Sequence, residues 1–347
     1  MPFNGGVFRL NPAIFAGFLH PGLTFSFNKL EVSEIPQQTS MSCLRRLESF
    51  NLISEAIDLN DSVQFDFSGK IEYNRSDHLR KDEKMKTYKL GILGYGNMAS
   101  AIAGGILKKN VLRAGQILVC DSDPKKTDAA RAAGFCPARD HQQLADDCEF
   151  VLLSVKPQMF EEAVRGIRFD QNALISIMAG VRIDRIESLT GCRAARIMPN
   201  TPALVGKGIS AVDASHLTTS GRQFVVEIFG AVGEVLECPE DKMDGVTAVS
   251  GSGPAYVYLW LDSLIRAGQK LGFSEAEARK LAVQTFAGAA EMVKQSEEPL
   301  EVLIDRVCSK GGTTIEAVKT FRSGGQYELT EEAVRACFQR SRELSSL

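Results

Sequence analysis

A short apolar stretch, Lys89-Leu-Gly-Ile-Leu93, runs directly into Gly94-Tyr-Gly96-Asn-Met-Ala99 and then into helical periodicity. A strand, a Gly-x-Gly-x-x-Ala turn and a helix in immediate succession leave few folds open. Gly94 permits a tight turn, Gly96 lets backbone N–H groups come close to a pyrophosphate, and small Ala99 lets the helix pack on the strand with its N-terminus toward the phosphates. A second strand-like run, Gln116 to Cys120, ends at Asp121, about 20 to 25 residues past the glycines, where an acid that reads a ribose is expected. The pattern therefore predicts a dinucleotide-binding unit.

The alternation continues. Strand-like segments at 89–93, 116–120, 150–154, 173–178 and 194–198 are separated by helical patterns at 97–109, 124–133, 159–166 and 183–190. Short apolar strands between amphipathic helices predict an α/β Rossmann fold, a doubly wound parallel sheet covered on both faces. Ligands in such sheets bind beyond the C-terminal strand ends, which places 94–98, 121–123, 154–157, 177–180 and 199–202 on one rim. After Pro239 the texture becomes helical, with segments at 255–271, 299–308, 313–322 and 327–345, and Ser252-Gly-Pro254 reads as the N-cap and early proline of the first. Helix 255–271 is apolar around much of its circumference, which suits a helix-mediated homodimer. The expected domains are a Rossmann domain at 85–239 and an all-α C-terminal dimerisation domain at 240–347.

Residues 1–84 show no sustained period and end in a charged stretch, 75–84, so a poorly ordered N-terminal extension is expected, with Met85 as the functional start. The net charge of −3 and the lack of a long basic run argue against a nucleic-acid partner. No run reaches the roughly 18 to 20 apolar residues that span a bilayer, and the first 30 residues lack the layout of a signal peptide. The eight cysteines form no Cys-x-x-Cys pair, which reads as reduced thiols of a cytoplasmic protein. The four histidines are too scattered for a zinc site, so no metal is expected.

A second chemical feature is Ser309-Lys-Gly311-Gly312-Thr313-Thr314-Ile-Glu316. Two glycines ahead of a helix start leave backbone N–H groups free to converge on an anion, and the hydroxyls of Ser309, Thr313 and Thr314 can add donors; a small carboxylate suits such a loop. Thr313-x-x-Glu316 also reads as a simple capping box.

Taken with Val155-Lys-Pro157, Met198-Pro-Asn-Thr-Pro202 and Ser250-Gly-Ser-Gly-Pro-Ala-Tyr256, in this order and spacing, these motifs resemble the pyrroline-5-carboxylate reductase family over 86–345. The resemblance implies NAD(P)H-dependent reduction of 1-pyrroline-5-carboxylate, a small cyclic imino acid, to L-proline, with NADP(H) favoured and NAD(H) as the alternative. It implies a homodimer or higher homo-oligomer with the active site between protomers. By position, Ser309, Gly312 and Thr313 would hold the substrate carboxylate, and the Thr314 hydroxyl would serve the ring nitrogen as the catalytic group. Leu93, Gly94, Gly96, Asn97 and Met98 would lie at the pyrophosphate. Ser154, Val155, Lys156 and Pro157, with Ile177 and Ala179, would line the nicotinamide side, while Glu240 and Thr247 match substrate-proximal positions.

Two features stand apart from the family pattern. Lys310 stands where many members carry proline, which either loosens the carboxylate loop or adds a cation beside the substrate. Asp121 would bond a ribose 2′-hydroxyl and repel a 2′-phosphate, whereas Ser122, Lys125 and Lys126 would attract one. A β-hydroxyacid dehydrogenase shares the layout, but Val257 occupies the position of its catalytic lysine. A cofactor-binding sensor without turnover would have no need of the 309–314 loop.

Overall fold

The computed structural model describes residues 8–9, 63–65, 70–73 and 86–345. The chain divides into two units, 1–84 and 85–347. In the first, β1 (Phe8–Arg9), β2 (Val63–Phe65) and β3 (Lys70–Tyr73) form an antiparallel sheet in the order β1-β3-β2. Strands of two to four residues are too short to show a period, so the sequence carries no sign of them. The expectation of poor order in 1–84 otherwise falls outside the described residues.

The second unit is built on eight strands: β4 (Tyr88–Leu93), β5 (Ile117–Cys120), β6 (Cys136–Pro137), β7 (Cys148–Leu153), β8 (Ala173–Ser176), β9 (Ala194–Met198), β10 (Gly208–Asp213) and β11 (Gly233–Glu237). Their order is β11-β10-β9-β8-β7-β4-β5-β6, and the chain leaves β4 toward one edge and returns at β7 toward the other. That reversal between β4 and β7 is the topological switch point of a doubly wound sheet. The six strands from β9 to β6 run parallel; β10 reverses direction against β9, pairing Val212 with Ile197, and β11 is parallel to β10. The reversed β10 is a departure from an all-parallel sheet, made possible by the Pro199–Gly206 turn, which lets the chain double back without a crossover helix.

Period-2 alternation sorts the strand residues between two cores. Leu90, Ile92, Ile117, Val119, Phe150, Leu152, Ile175 and Ile197 face one layer, which contains α1 (Asn97–Lys108). Leu93, Leu118, Val151, Leu153 and Leu174 face the other. All are 3 % exposed or less, so each strand is buried on both faces, as the near-continuous apolar runs require. Between the strands lie α2 (Pro124–Ala132), α3 (His141–Asp147), α4 (Phe160–Val164), α5 (Ile183–Thr190) and α6 (Thr219–Gly230).

Beyond β11 the described chain is helical. It enters through α7 (Met243–Val246) and a π-helical turn, Thr247–Gly251, that leads without interruption into α8 (Gly253–Lys270). Ser252 is therefore not a capping residue: its backbone is right-handed helical and its side chain accepts no cap bond. The wide turn, closed by Ser252 N–H to Thr247 O at 2.8 Å, carries the helix past Pro254, which has no N–H to give. A capping box of Ser274 and Glu277 starts α9 (Glu275–Lys294), followed by α10 (Leu300–Val307), α11 (Thr313–Ser323) and α12 (Gln326–Ser345). No residue of α8 is buried within one chain, and Tyr258 and Leu259 are 61 % and 65 % exposed.

Candidate active site

The glycine-rich turn is fixed to the end of β5 by two successive backbone donors. Gly94 N–H reaches Cys120 O at 2.7 Å and Tyr95 N–H reaches Asp121 Oδ2 at 2.6 Å. Gly94 has a φ of +93°, and a Cβ there would come within 3.0 Å of the Ser154 backbone, so both conformation and space demand glycine. Ser154 closes the turn from the β7 side, its N–H donating to Leu93 O at 2.9 Å and its hydroxyl to Leu93 O and Gly94 O. The Gly-rich turn is thus clamped between the ends of β5 and β7, over the switch point.

Past the turn, Gly96 is the N-cap of α1 and no side chain caps the helix. A Cβ on Gly96 would meet nothing within 4 Å, so the space in front of it is open. An uncapped helix start facing open space at the switch point fits a dinucleotide pyrophosphate. Asn97 and Met98 stand at that start, exposed and half-buried respectively. Lys156 and Pro157 begin a short 3-10 turn after β7, and Ile177 is held by its N–H to Leu153 O at 3.1 Å. Exposed Ala179 precedes Gly180, whose φ is +77°.

Asp121 does not stand free at the rim. Its Oδ2 accepts from Tyr95 N–H and its Oδ1 from Asp123 N–H at 2.8 Å, and its side chain is only 6 % exposed. The carboxylate expected to read a ribose is turned inward onto backbone donors. Lys126 Nζ lies 3.5 Å from Oδ2 and is 46 % exposed, while Ser122 and Lys125 are exposed beside it.

Glu240 also has a different setting from the expected one. Its Oε1 accepts from Ile183 N–H at 2.8 Å and pairs with Arg196 Nη1 at 3.1 Å; Oε2 pairs with Arg182 Nη2 at 3.3 Å. Its own N–H donates to Asp213 Oδ2 at 2.7 Å. Glu240 is a fastener between β9, β10, the start of α5 and the entry to the helical segment, with both carboxylate oxygens engaged by this chain. The Thr247 hydroxyl likewise donates to Met243 O at 2.8 Å, one turn back in its own helix.

In the 309–314 loop, Gly311 is left-handed at φ +72° and Gly312, the N-cap of α11, accepts no side-chain cap. Thr313 is the first helical residue and Glu316 pairs with Lys319 at 2.8 Å, so the capping box is not formed. The N-terminus of α11 is left open beside Ser309 and half-buried Thr314. Among the described residues no hydrogen bond or ion pair joins this loop to the rim at 94–98, 154–157 or 177–180.

Asn200 is a residue whose role motif reading did not reveal. Its Nδ2 donates to Ser250 O and Oγ, both at 3.3 Å, and its Oδ1 accepts from Ile209 N–H at 3.0 Å. It joins the Met198–Pro202 motif to the Ser250–Tyr256 motif. Their shared small and polar character was the available sign.

Two family descriptions match the chain: NADP oxidoreductase coenzyme F420-dependent over 89–180, and pyrroline-5-carboxylate reductase dimerisation over 240–344. A pyrroline-5-carboxylate reductase of Synechocystis is 39 % identical over 260 residues, covering 74 % of this chain and 97 % of that one. One from Arabidopsis thaliana is 35 % identical over 266 residues, 75 % of this chain and 96 % of its own. The structure of a pyrroline-5-carboxylate reductase from Coxiella burnetii superposes with a TM-score of 0.70 at 33 % identity, over 75 % of this chain and 99 % of that one. The Plasmodium falciparum pyrroline carboxylate reductase with NADP bound gives 0.68 at 32 % identity, over 75 % and 99 %. Fold and rim define a nicotinamide-dinucleotide oxidoreductase. The chain belongs to the pyrroline-5-carboxylate reductase family.

Proposed function

We infer that this chain reduces 1-pyrroline-5-carboxylate to L-proline with NADP(H), the step that ends proline biosynthesis, and that its residues divide the work as follows. The dinucleotide supplies a hydride to C5 of the imine when bound. Gly96, Asn97 and Met98 present N–H groups at the start of α1 to its pyrophosphate, with the preceding turn held by Leu93 and Gly94. Ser154 to Pro157 and Ile177 to Ala179 flank the reacting end. Ser309, Gly312 and Thr313 hold the substrate carboxylate at the open N-terminus of α11, and the Thr314 hydroxyl donates a hydrogen bond at the ring nitrogen. Hydride addition to a protonated imine needs alignment more than a strong acid or base, so hydroxyls and backbone donors suffice.

The observation that carries this division is the pair of uncapped helix starts, at Gly96 and at Gly312, each preceded by a left-handed glycine. One suits a pyrophosphate and the other a carboxylate. A homodimer supplies the second half of each site: α8 exposes apolar side chains around its circumference, and the 309–314 loop makes no bond to the rim of its own chain. Residues 85–239 then serve the cofactor and 240–347 the substrate and the dimer, with 1–84 dispensable for both. Among the described residues no helix is long and apolar enough to cross a membrane. A cytoplasmic enzyme without a nucleic-acid partner fits its dinucleotide supply and its net charge of −3.

The test is the loss of 340 nm absorbance when the full chain meets pyrroline-5-carboxylate with NADPH and, in parallel, NADH. Oxidation that depends on the imine, faster with NADPH, is expected. A folded protein that binds NADPH and leaves the imine unreduced would overturn the reading.

A further inference from the structure

The unexpected setting of Asp121 has a consequence for cofactor choice. We propose that Asp121 is a positioning residue that holds the pyrophosphate turn in shape, and that discrimination between NADPH and NADH belongs to Lys126, the cation lying on its outer edge. The inference rests on the family's use of a nicotinamide dinucleotide and concerns which residues of this chain choose it.

An acid at the end of the second strand can read a ribose only if a carboxylate oxygen with a spare lone pair is turned outward to meet it. Here both carboxylate oxygens already accept backbone N–H groups, from Tyr95 and Asp123, and the side chain is 6 % exposed. The Tyr95 bond is the informative one. It spans 26 residues and follows directly on Gly94 N–H to Cys120 O, so two adjacent peptides of the turn are sewn to the end of β5. With Gly94 in a left-handed conformation and Ser154 on the other side, those bonds set the direction from which Gly96 to Met98 face the pyrophosphate. A carboxylate accepting two backbone N–H groups holds them more strongly than a neutral acceptor does.

Lys126 completes the assignment. Its ammonium lies 3.5 Å from Asp121 Oδ2, and at 46 % exposure this is a weak pair that a stronger anion displaces. A 2′-phosphate, with more charge and more acceptor oxygens than a carboxylate already engaged, is such an anion. Lys126 sits on the first turn of α2, whose N-cap Asp123 has its Oδ1 taken up by Lys125 N–H at 3.0 Å, and the ion pair of Lys126 is with Asp121 and not with this exposed neighbour, so Lys126 can serve the ligand. The Asp121 charge that would repel a 2′-phosphate is buried, and the Lys126 charge that attracts one is exposed.

The test is direct binding by titration calorimetry of NADPH and NADH to the full chain and to Asp121→Ala, Asp121→Asn and Lys126→Ala, with a thermal melt of each. Asp121→Ala is expected to raise both dissociation constants 10-fold or more while their ratio moves less than 3-fold. Asp121→Asn, which keeps one acceptor for Tyr95, should recover part of that loss and serves in its place if the alanine variant does not fold. Lys126→Ala should weaken NADPH about 10-fold and leave NADH unchanged. A purely stabilising Asp121 would lower the melting temperature with both constants intact, and that result overturns the proposal. So does an Asp121 variant that loses NADH while holding or gaining NADPH, because the carboxylate would then be reading the ribose. Wild-type protein that binds neither nucleotide would instead refute the cofactor reading on which the inference rests.

Discussion

Glu240 meets Arg196 at 3.1 Å where the sheet hands over to the helical segment, and the Arg196 side chain is 5 % exposed. The guanidinium comes from β9, and the carboxylate from the 3-10 turn, Glu240–Lys242, that precedes α7. Removing one member of a buried pair strands the other, at a cost of about 3 to 5 kcal/mol. Glu240→Ala is therefore expected to lose stability on that scale in urea unfolding. Glu240→Gln, which still accepts from Ile183 N–H, should lose less. An unchanged unfolding midpoint for Glu240→Ala would show that the pair contributes nothing.

Gly312 and Ser309 share a space that admits only one of two atoms. A Cβ on Gly312 would lie 2.3 Å from Ser309 Oγ, and the Gly312 φ of −79° accepts any residue. Gly312→Ala therefore displaces the Ser309 hydroxyl and presses, at 3.1 Å, on the Ser309 carbonyl oxygen, while its own φ stays allowed. The expected outcome is a KM for the imine raised about 10-fold with kcat changed less than 3-fold, the pattern of a lost ground-state contact. Ser309→Ala should raise KM similarly. Unchanged KM in both variants would remove Ser309 from the substrate site.

Thr314→Ala is expected to lower kcat 10-fold or more, because loss of the hydroxyl removes the donor at the ring nitrogen. The dissociation constant for NADPH should stay within 2-fold, since Thr314 has no part in phosphate binding. Steady-state kinetics with direct nucleotide binding separates the two. A wild-type kcat would take Thr314 out of the reaction.

The sheet was legible because its strands alternate between two cores. Leu90 and Ile92 go one way and Leu93 the other, and a pattern with both sets apolar has no solution except burial on both faces. The π-helical turn was not legible, because Ser252-Gly-Pro254 is also how an ordinary helix begins, and what distinguishes the two is a backbone bond to Thr247. The reversal of β10 was hidden for a related reason: Gly208–Asp213 reads alike in either direction, and only its pairing with β9 decides. Asp121 marks the limit of motif spacing. The position of an acid after β5 is fixed by sequence, but whether it faces ribose or Tyr95 depends on a contact 26 residues away.

Asp213 predicts an acid-side dependence of stability. Burial alone would raise its pKa, but the Ser215 hydroxyl and N–H, the Glu240 N–H and the charge of His216 outweigh it and hold the carboxyl below its ordinary 3.8. A depressed folded pKa contributes stability above the unfolded value and loses it as pH falls through the folded one. Below about pH 4 the unfolding midpoint of the wild type should therefore fall more steeply than that of Asp213→Asn, which has no charge there to lose. Parallel slopes would show that the carboxylate is no better stabilised folded than unfolded.

On the alkaline side two buried thiols contribute. Burial pushes Cys148 up to about 12, helped by the neighbouring Asp147 charge, and Cys120 up to about 11, from an ordinary 9.0. A raised folded pKa keeps the proton on in the native state while the unfolded thiol gives it up, so its contribution is complete below about pH 9 and is lost as pH rises through the folded value. Stability should decline between roughly pH 9 and pH 12 on this account, and Cys148→Ala should flatten that decline. The same burial withholds the thiolate, the form that reacts. At pH 8 alkylation of Cys148 by iodoacetamide, read by peptide mass spectrometry, should run at the rate of global unfolding and accelerate in parallel with urea. Rapid labelling of Cys148 in the native protein, where its side chain lies between β4 and the end of α3, would mean that the packing of α3 on the central strands opens on its own.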